Sequence, residues 1–286
     1  MWDRFVTVTG RECNSLLREL FVTFATVESR FYQPDEHRAE KVRELFGAIA
    51  RRYDLLNDIM SAGLHRCWKR RLVERGVAAS VTDAMSDRRR DGGRYITPQV
   101  LDLCCGTGDI AWLFARQGAS VTAVDFTEEM LRVARARAPQ SSNTPALQHS
   151  ISFVHADALQ LPFPDGSFDV VSVGYGLRNL ADLERGLREV LRVLRPGGKL
   201  VSLDFGKPRS RVLRFFYFGY LRIVLPVLGR VFCGDPDTHG YILASLQSYP
   251  AQEGTKKLME ECGFTGCGFE EFVGGTMAIN FGSKPG

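Results

Sequence analysis

The chain has little of what would build a metal centre or a disulfide scaffold. Its 286 residues include five histidines and seven cysteines. They show no Cys-x-x-Cys pair, no His-Glu-x-x-His and no Cys/His cluster, so the sequence suggests no metal. The cysteine count is odd, and Cys104 and Cys105 are adjacent, which makes them poor partners for one another. That usage fits a reducing cytoplasm. Charge of one sign is also scarce, with a formal net charge of +4. Apart from Lys69-Arg70-Arg71 and Arg88-Arg89-Arg90 the basic residues are dispersed, and nucleic-acid binding wants a broader basic field.

Long apolar runs are missing too. Val212 to Cys233 comes nearest, but Arg214, Arg222, Arg230 and Pro226 break a stretch that would need about 20 apolar residues to span a bilayer. Arg18 and Glu19 interrupt Leu16 to Val27, and no small-residue cleavage site follows, so no cleavable signal is read there. Asp3, Glu12, Glu19 and Glu28 are acids that transit peptides avoid. Residues 1–38 therefore read as a leader, accessory or poorly ordered. No internal repeat is found.

What is present is a large apolar fraction, 44%, enough for one sizeable core with decorations. Val42, Leu45, Phe46, Ile49 and Tyr53 recur at helical spacing, as do Leu64, Trp68 and Leu72. Residues 39–79 accordingly read as N-terminal capping helices and residues 80–98 as a polar insertion loop. From Val100 onward strands and helices alternate, which implies an α/β, doubly wound, mostly parallel sheet covered on both faces. Seven strands are expected at 99–104, 120–125, 151–155, 168–173, 199–204, 267–273 and 276–282, in a domain spanning 99–286. A lid segment at about 208–250 interrupts it.

The most telling stretch within this domain is Gln99 to Asp109. A short apolar strand runs into Cys104-Cys105-Gly106-Thr107-Gly108-Asp109, and a helix follows. Glycine permits the tight turn and lets a ligand approach bare backbone. The helix N-terminus behind it presents unpaired N–H groups. Gly106-x-Gly108-x-x-Ala111 formally fits a dinucleotide fingerprint, with Asp125 at the required spacing to take ribose hydroxyls. S-adenosylmethionine offers the same adenosine with a sulfonium amino acid in place of a pyrophosphate. Asp102 and Asp109 bracket the turn and favour the cationic ligand.

Asp125, Ala156-Asp157-Ala158, Phe168-Asp169-Val170-Val171 and Leu194-Arg195-Pro196-Gly197-Gly198 occur in an order that resembles the class I, Rossmann-like, S-adenosylmethionine-dependent methyltransferases. A narrower resemblance lies in Ala50 to Arg70, in Gly174-Tyr175-Gly176-Leu177-Arg178-Asn179, and in Tyr241-x-x-x-Ser245-x-x-x-x-Pro250-x-Gln252-Glu253. These strings resemble the ubiquinone/menaquinone biosynthesis C-methyltransferases, over roughly residues 38 to 282.

That resemblance implies S-adenosyl-L-methionine as cofactor, held by Asp102, Gly106, Thr107, Gly108, Asp125, Phe126, Asp157, Ala158 and Gly174. Gly174 stands where some relatives carry a serine, so a contact there must come from backbone. It implies methylation of a ring carbon of a polyprenyl quinol, with demethylmenaquinol favoured by the Cys104-Cys105 pair. The alternatives are a ubiquinone-branch benzoquinol or another lipophilic small molecule.

The catalytic candidates are Arg178, Asn179 and Tyr53. Arg178 would stabilise a developing phenolate or hold a water, and Tyr53 would hydrogen-bond the quinol oxygen. The plainer readings are that Arg178 pairs with Asp182 and that Tyr53 is a half-buried aromatic. The expected location is cytoplasmic, peripheral at the inner face of the membrane. The expected partners are the bilayer surface and a homodimer or a complex of quinone-pathway enzymes. A nicotinamide oxidoreductase and a non-catalytic scaffold are the competing functions.

Overall fold

Apolar segments of five to twelve residues pair into one seven-stranded sheet in this computed structural model, which describes residues 38–50, 53–88, 97–137, 150–233 and 237–286. The expected leader falls outside the described residues, apart from Arg38, as do residues 89–96 of the expected loop. The strands are β1 (Gln99–Leu103), β2 (Ser120–Asp125), β3 (Ile151–His155), β4 (Phe168–Gly174), β5 (Leu194–Phe205), β6 (Thr265–Phe272) and β7 (Met277–Ser283). Their spatial order is β3-β2-β1-β4-β5-β7-β6, with β7 antiparallel to both its neighbours and all other pairs parallel. The direction of winding reverses between β1 and β4, and a doubly wound sheet opens its ligand crevice at the carboxyl ends beside such a point.

The helices are α1 (Arg38–Ile49), α2 (Tyr53–Ser61), α3 (Leu64–Arg88), α4 (Asp109–Arg116), α5 (Glu128–Ala136), α6 (Leu183–Val193), α7 (Arg211–Cys233), α8 (Asp237–Ser248) and α9 (Ala251–Glu261). Alternation along the strands builds a core on each face. Leu101, Leu103, Val171 and Val173 pack with Leu187 and Val190 of α6 on one face. Val100, Val121 and Val170 pack with Ile110 and Phe114 of α4 and Leu72 of α3 on the other. Each such buried side chain stabilises the fold by about 1.5–3 kcal/mol.

Two local departures from the expected elements have physical causes. Helix α3 continues to Arg88, into the stretch read as a polar loop. No glycine or proline stands between Gly76 and Gly92, so nothing ends the helix at residue 80. Strand β5 begins at Leu194, before the Arg195-Pro196-Gly197-Gly198 turn. Leu194 pairs with Phe168 and Lys199 with Val170, so the turn stands out as a bulge inside one strand.

Helices α1 and α2 lie over the carboxyl ends of the strands. Val42 and Leu45 of α1 pack against Tyr241 of α8. Ile49 and Ala50 pack against Met130 of α5. The cap is thus seated on both sides of the crevice.

Candidate functional site

The first four strands of the chain end in a common cleft. Cys104 and Gly106 follow β1, Asp125 and Phe126 close β2, Ala156 to Leu159 follow β3, and Gly174 to Gly176 leave β4. Val42, Phe46 and Tyr53 roof it from the cap. Of the residues singled out from sequence, Gly106, Asp125, Phe126, Asp157, Ala158, Gly174, Tyr53 and Asn179 line this cleft. Asp102, Thr107 and Gly108 stand behind its wall, and Arg178 lines a neighbouring cavity.

The two turn glycines have different tasks. Gly106 has φ +55°, and a Cβ built on it meets nothing within 4 Å, so its backbone lies open to the cleft. Gly108 has φ +84°, and its Cβ would stand 3.3 Å from the Cβ of Ala134. One glycine serves a ligand's approach, the other the packing of α4 on α5. Thr107 is buried, and its hydroxyl donates to Asp54 Oδ1 at 2.9 Å, tying the turn to α2.

The acids divide likewise. Asp125 Oδ2 accepts from Gly106 N and Oδ1 from Thr127 N, both at 2.8 Å. Burial pushes its pKa up, while those amides pull it back. Each oxygen keeps a second lone pair for a ligand hydroxyl. Asp157 caps its own turn, accepting from Leu159 N at 2.9 Å, and also forms part of the cleft wall. Asp102 is fully buried, accepts from Ser172 Oγ at 2.7 Å, and is pushed up to about 7 by burial. Asp109 pairs with Lys69 at 2.8 Å and with Arg137 at 3.2 Å. The acids that face the cleft are therefore Asp125 and Asp157; Asp102 is buried behind it and Asp109 is engaged by Lys69 and Arg137. Two carboxylates, bare glycine backbone and the apolar Phe126, Met130 and Leu159 fit an adenosine that carries a cationic tail.

A second, smaller cavity adjoins the first and shares Phe46, Tyr53 and Tyr175 with it. Its walls are mostly apolar, from Leu45, Ile49, Leu56, Met60 and Ile242, with Asn57, Arg178 and the tyrosine hydroxyls as polar exceptions. Arg178 is 5% exposed. Its Nη1 donates to Asp204 Oδ1 at 2.7 Å and to the Tyr175 carbonyl at 2.9 Å, and its backbone N–H donates to Asp204 Oδ2 at 3.2 Å. Burial opposes its charge, but Asp204, followed by Tyr241 and Tyr53, outweighs it, and the guanidinium pKa is raised. The expected alternative partner, Asp182, instead caps α6 by accepting from Arg185 N.

Asn179 donates to the Tyr175 carbonyl at 3.1 Å and accepts from the Tyr241 hydroxyl. Tyr53 is half-buried, its ring set edge-on to Phe46 at 6.0 Å, and it faces both cavities. Cys104 in the first cleft and Tyr175 in the shared wall both hold positive φ, 56° and 61°. Left-handed non-glycine residues of this kind cluster at ligand clamps.

Sequence reading passed over Asp204, Tyr175 and Tyr241. An acid at the carboxyl end of a central parallel strand was the available signal for Asp204. Tyr241 opened a recognised string, but nothing local to it pointed across the chain to Asn179.

The model of the ubiE/COQ5 methyltransferase family matches residues 35–284. A ubiquinone/menaquinone biosynthesis C-methyltransferase UbiE of Pseudomonas paraeruginosa is 38% identical over 256 residues, covering 88% of this chain and 92% of its own. The UbiE of Azotobacter vinelandii is 38% identical over 255 residues, covering 88% and 93%. Among solved structures, Haemonchus contortus phosphoethanolamine N-methyltransferase 2 in complex with S-adenosyl-L-methionine aligns at a TM-score of 0.49 and 16% identity, over 72% of this chain and 53% of that one. At that level the likeness says nothing of what this chain binds. The chain belongs to the ubiE/COQ5 methyltransferase family, and its methyl donor is S-adenosylmethionine.

Proposed function

We propose that this enzyme methylates a ring carbon of a polyprenyl quinol, with demethylmenaquinol as the acceptor and menaquinol as the product. The observation that carries the reading is the pair of adjoining cavities. One has carboxylates and open glycine backbone; the other is apolar, with a buried guanidinium in its wall. Tyr53, Phe46 and Tyr175 form the partition where donor and acceptor would meet. S-adenosylmethionine supplies an electrophilic methyl group on a cationic sulfonium.

The chain's own residues supply the rest. The roof of α1 and α2 excludes water and fixes the approach. Arg178 cannot act as a base, because a guanidinium stays protonated. In the wall of the apolar cavity it stabilises negative charge on a phenolic oxygen, which raises electron density at the neighbouring ring carbon. The Tyr53 hydroxyl is the hydrogen-bond partner of that oxygen, and Asn179, held from both ends, orients the partition. The ring proton is lost to water held at Arg178 once the carbon is substituted.

Relatives named for ubiquinone and menaquinone biosynthesis support a quinol acceptor, and the Cys104-Cys105 pair, which resembles members of the menaquinone and phylloquinone pathways, tilts the reading to the naphthoquinol branch. Such an acceptor resides in bilayers. Among the described residues no helix is long and apolar enough to cross a membrane. The test is incubation with S-adenosylmethionine and reduced demethylmenaquinone or a benzoquinol analogue, with product mass as readout. The naphthoquinol is expected to gain one methyl. Transfer only to the benzoquinol overturns the branch, and transfer to neither overturns the reading.

A further inference from the structure

Helix α7 carries Val212, Phe216, Tyr220, Ile223 and Val227 in exposed positions, with Phe216 66% and Ile223 69% exposed. At 3.6 residues per turn these five fall within an arc of about 80°. The opposite pole is occupied by Leu221, which is buried in the core. A stripe of large apolar residues along more than four turns is not scattered surface hydrophobicity.

The other exposed large apolar residues among those described gather around it. Leu55 and Ile59 lie on α2 and Leu64 opens α3. The Tyr220 hydroxyl donates to the Met60 carbonyl at 3.1 Å, joining α7 to α2. Val273, 57% exposed, lies in the turn that packs on Leu213, itself at the exposed start of α7. Exposed apolar side chains thus run along α7, onto α2 where Tyr220 meets it, and to the β6–β7 turn. Helix α7 itself carries charge of one sign: it holds Arg211, Arg214, Arg222 and Arg230 and no Asp or Glu, while Lys207 and Arg209 just before it are spent on the Gln247 and Tyr249 carbonyls and on Glu253 and Glu271.

We infer that this face docks on an anionic lipid bilayer, with α7 lying in the plane of the interface and its stripe among the acyl chains. Apolar side chains on one arc of a helix that carries only cations are the mark of in-plane membrane helices. A protein partner would be expected to meet the cations with acids and the stripe with a shaped pocket. A bilayer needs neither.

The position also bears on access. Helix α2 bears Leu55 and Ile59 on the exposed face and Leu56 and Met60 in the wall of the second cavity. An acceptor drawn from the bilayer would reach that cavity alongside α2. This access role rests on the quinol reading; the docking does not.

The test is flotation of the full chain with phosphatidylcholine vesicles containing about a third phosphatidylglycerol. The chain is expected to float with these vesicles. Phe216→Glu/Ile223→Glu, and separately Phe216→Ser/Ile223→Ser, are expected to lower partition by about tenfold or more. Affinity for S-adenosylhomocysteine and turnover of a water-soluble, tail-less quinol should not change in either variant. Equal partition of variant and parent, or no flotation of the parent, overturns the docking. So does a parent dimer that both variants convert to monomer in light scattering, which would put a second copy on the face. If no quinol of any kind is methylated while the vesicle result stands, it is the acceptor reading that fails.

Discussion

Asp204 is the residue on which the acceptor side of the site depends most. It accepts three hydrogen bonds, from Arg178 Nη1 at 2.7 Å, Phe205 N at 2.8 Å and Arg178 N at 3.2 Å. Its side chain and that of Arg178 are each 4% exposed, so the pair has little water to fall back on. Asp204→Asn keeps the shape and removes the charge, leaving a buried guanidinium without its counter-ion. Breaking a buried pair in this way costs about 3–5 kcal/mol.

Denaturant unfolding of the full chain measures that cost directly. Asp204→Asn/Arg178→Met removes both charges, and the double variant should recover most of the loss, because the penalty lies in the unmatched charge rather than in the missing bond. Asp204 lines neither cavity, so Asp204→Asn should bind S-adenosylhomocysteine nearly as the parent does while turnover falls about a hundredfold or more. The reasoning is refuted if Asp204→Asn costs less than about 1 kcal/mol, or if removing Arg178 as well adds its own full cost to the first.

Gly106→Ala is expected to weaken S-adenosylhomocysteine binding about tenfold or more in calorimetry, since its Cβ would enter the cleft, with about 1 kcal/mol lost from φ +55°. Gly108→Ala should lower stability more, because the new Cβ meets Ala134 at 3.3 Å; equal binding losses in the two variants would refute the distinction. Asp102 has an ordinary pKa of 3.8 that burial raises to about 7. Between those values the folded protein keeps a proton the unfolded chain has released, so its contribution is complete below pH 3.8, falls as pH rises and levels off above about 7. The whole fall is on the order of 4 kcal/mol, of which about 3 kcal/mol lies above about pH 5, and Asp102→Asn should lose that part when unfolding free energies at about pH 5 and about pH 8 are compared with the parent's. Tyr53→Phe is expected to lower kcat about tenfold while leaving the dissociation constant for S-adenosylhomocysteine within twofold, roughly. A loss confined to cofactor affinity would assign the hydroxyl to the other cavity.

Much of the donor side was legible because it is local. A strand, a glycine turn and a helix are contiguous, and Asp125 and Asp157 each end or follow one strand, so sequence order alone sets them around one crevice. The role of Asp102 was not legible. Strand register faces it to Ser172 beneath the turn, and a carboxylate that looks poised for a cation in sequence is buried under the site. Asp109 is likewise spent on Lys69, 40 residues earlier. The acceptor side is non-local throughout. Arg178 meets Asp204 across 26 residues and Asn179 meets Tyr241 across 62, and neither separation has a period that a sequence scan would weigh. Helix α3 overran the expected loop for a different reason. A polar stretch without glycine or proline has no stop, and polarity alone does not end a helix.

The two sides are joined by adjacent residues of α2. Asp54 accepts the Thr107 hydroxyl from the cofactor turn and pairs with Arg137 at the end of α5, which also reaches Asp109 at the start of α4. Tyr53, one residue before it, is part of the partition between the cavities. The two residues share one turn of a nine-residue helix, so a shift of its backbone moves both. The contact that seats the glycine turn therefore also bears on the position of the Tyr53 ring in the partition between the cavities. Asp54 lines neither cavity, yet it ties the glycine turn of the first to the helix that walls the second. Loss of that contact would misplace two reacting centres that each remain bound, and the penalty would fall on turnover before it fell on affinity.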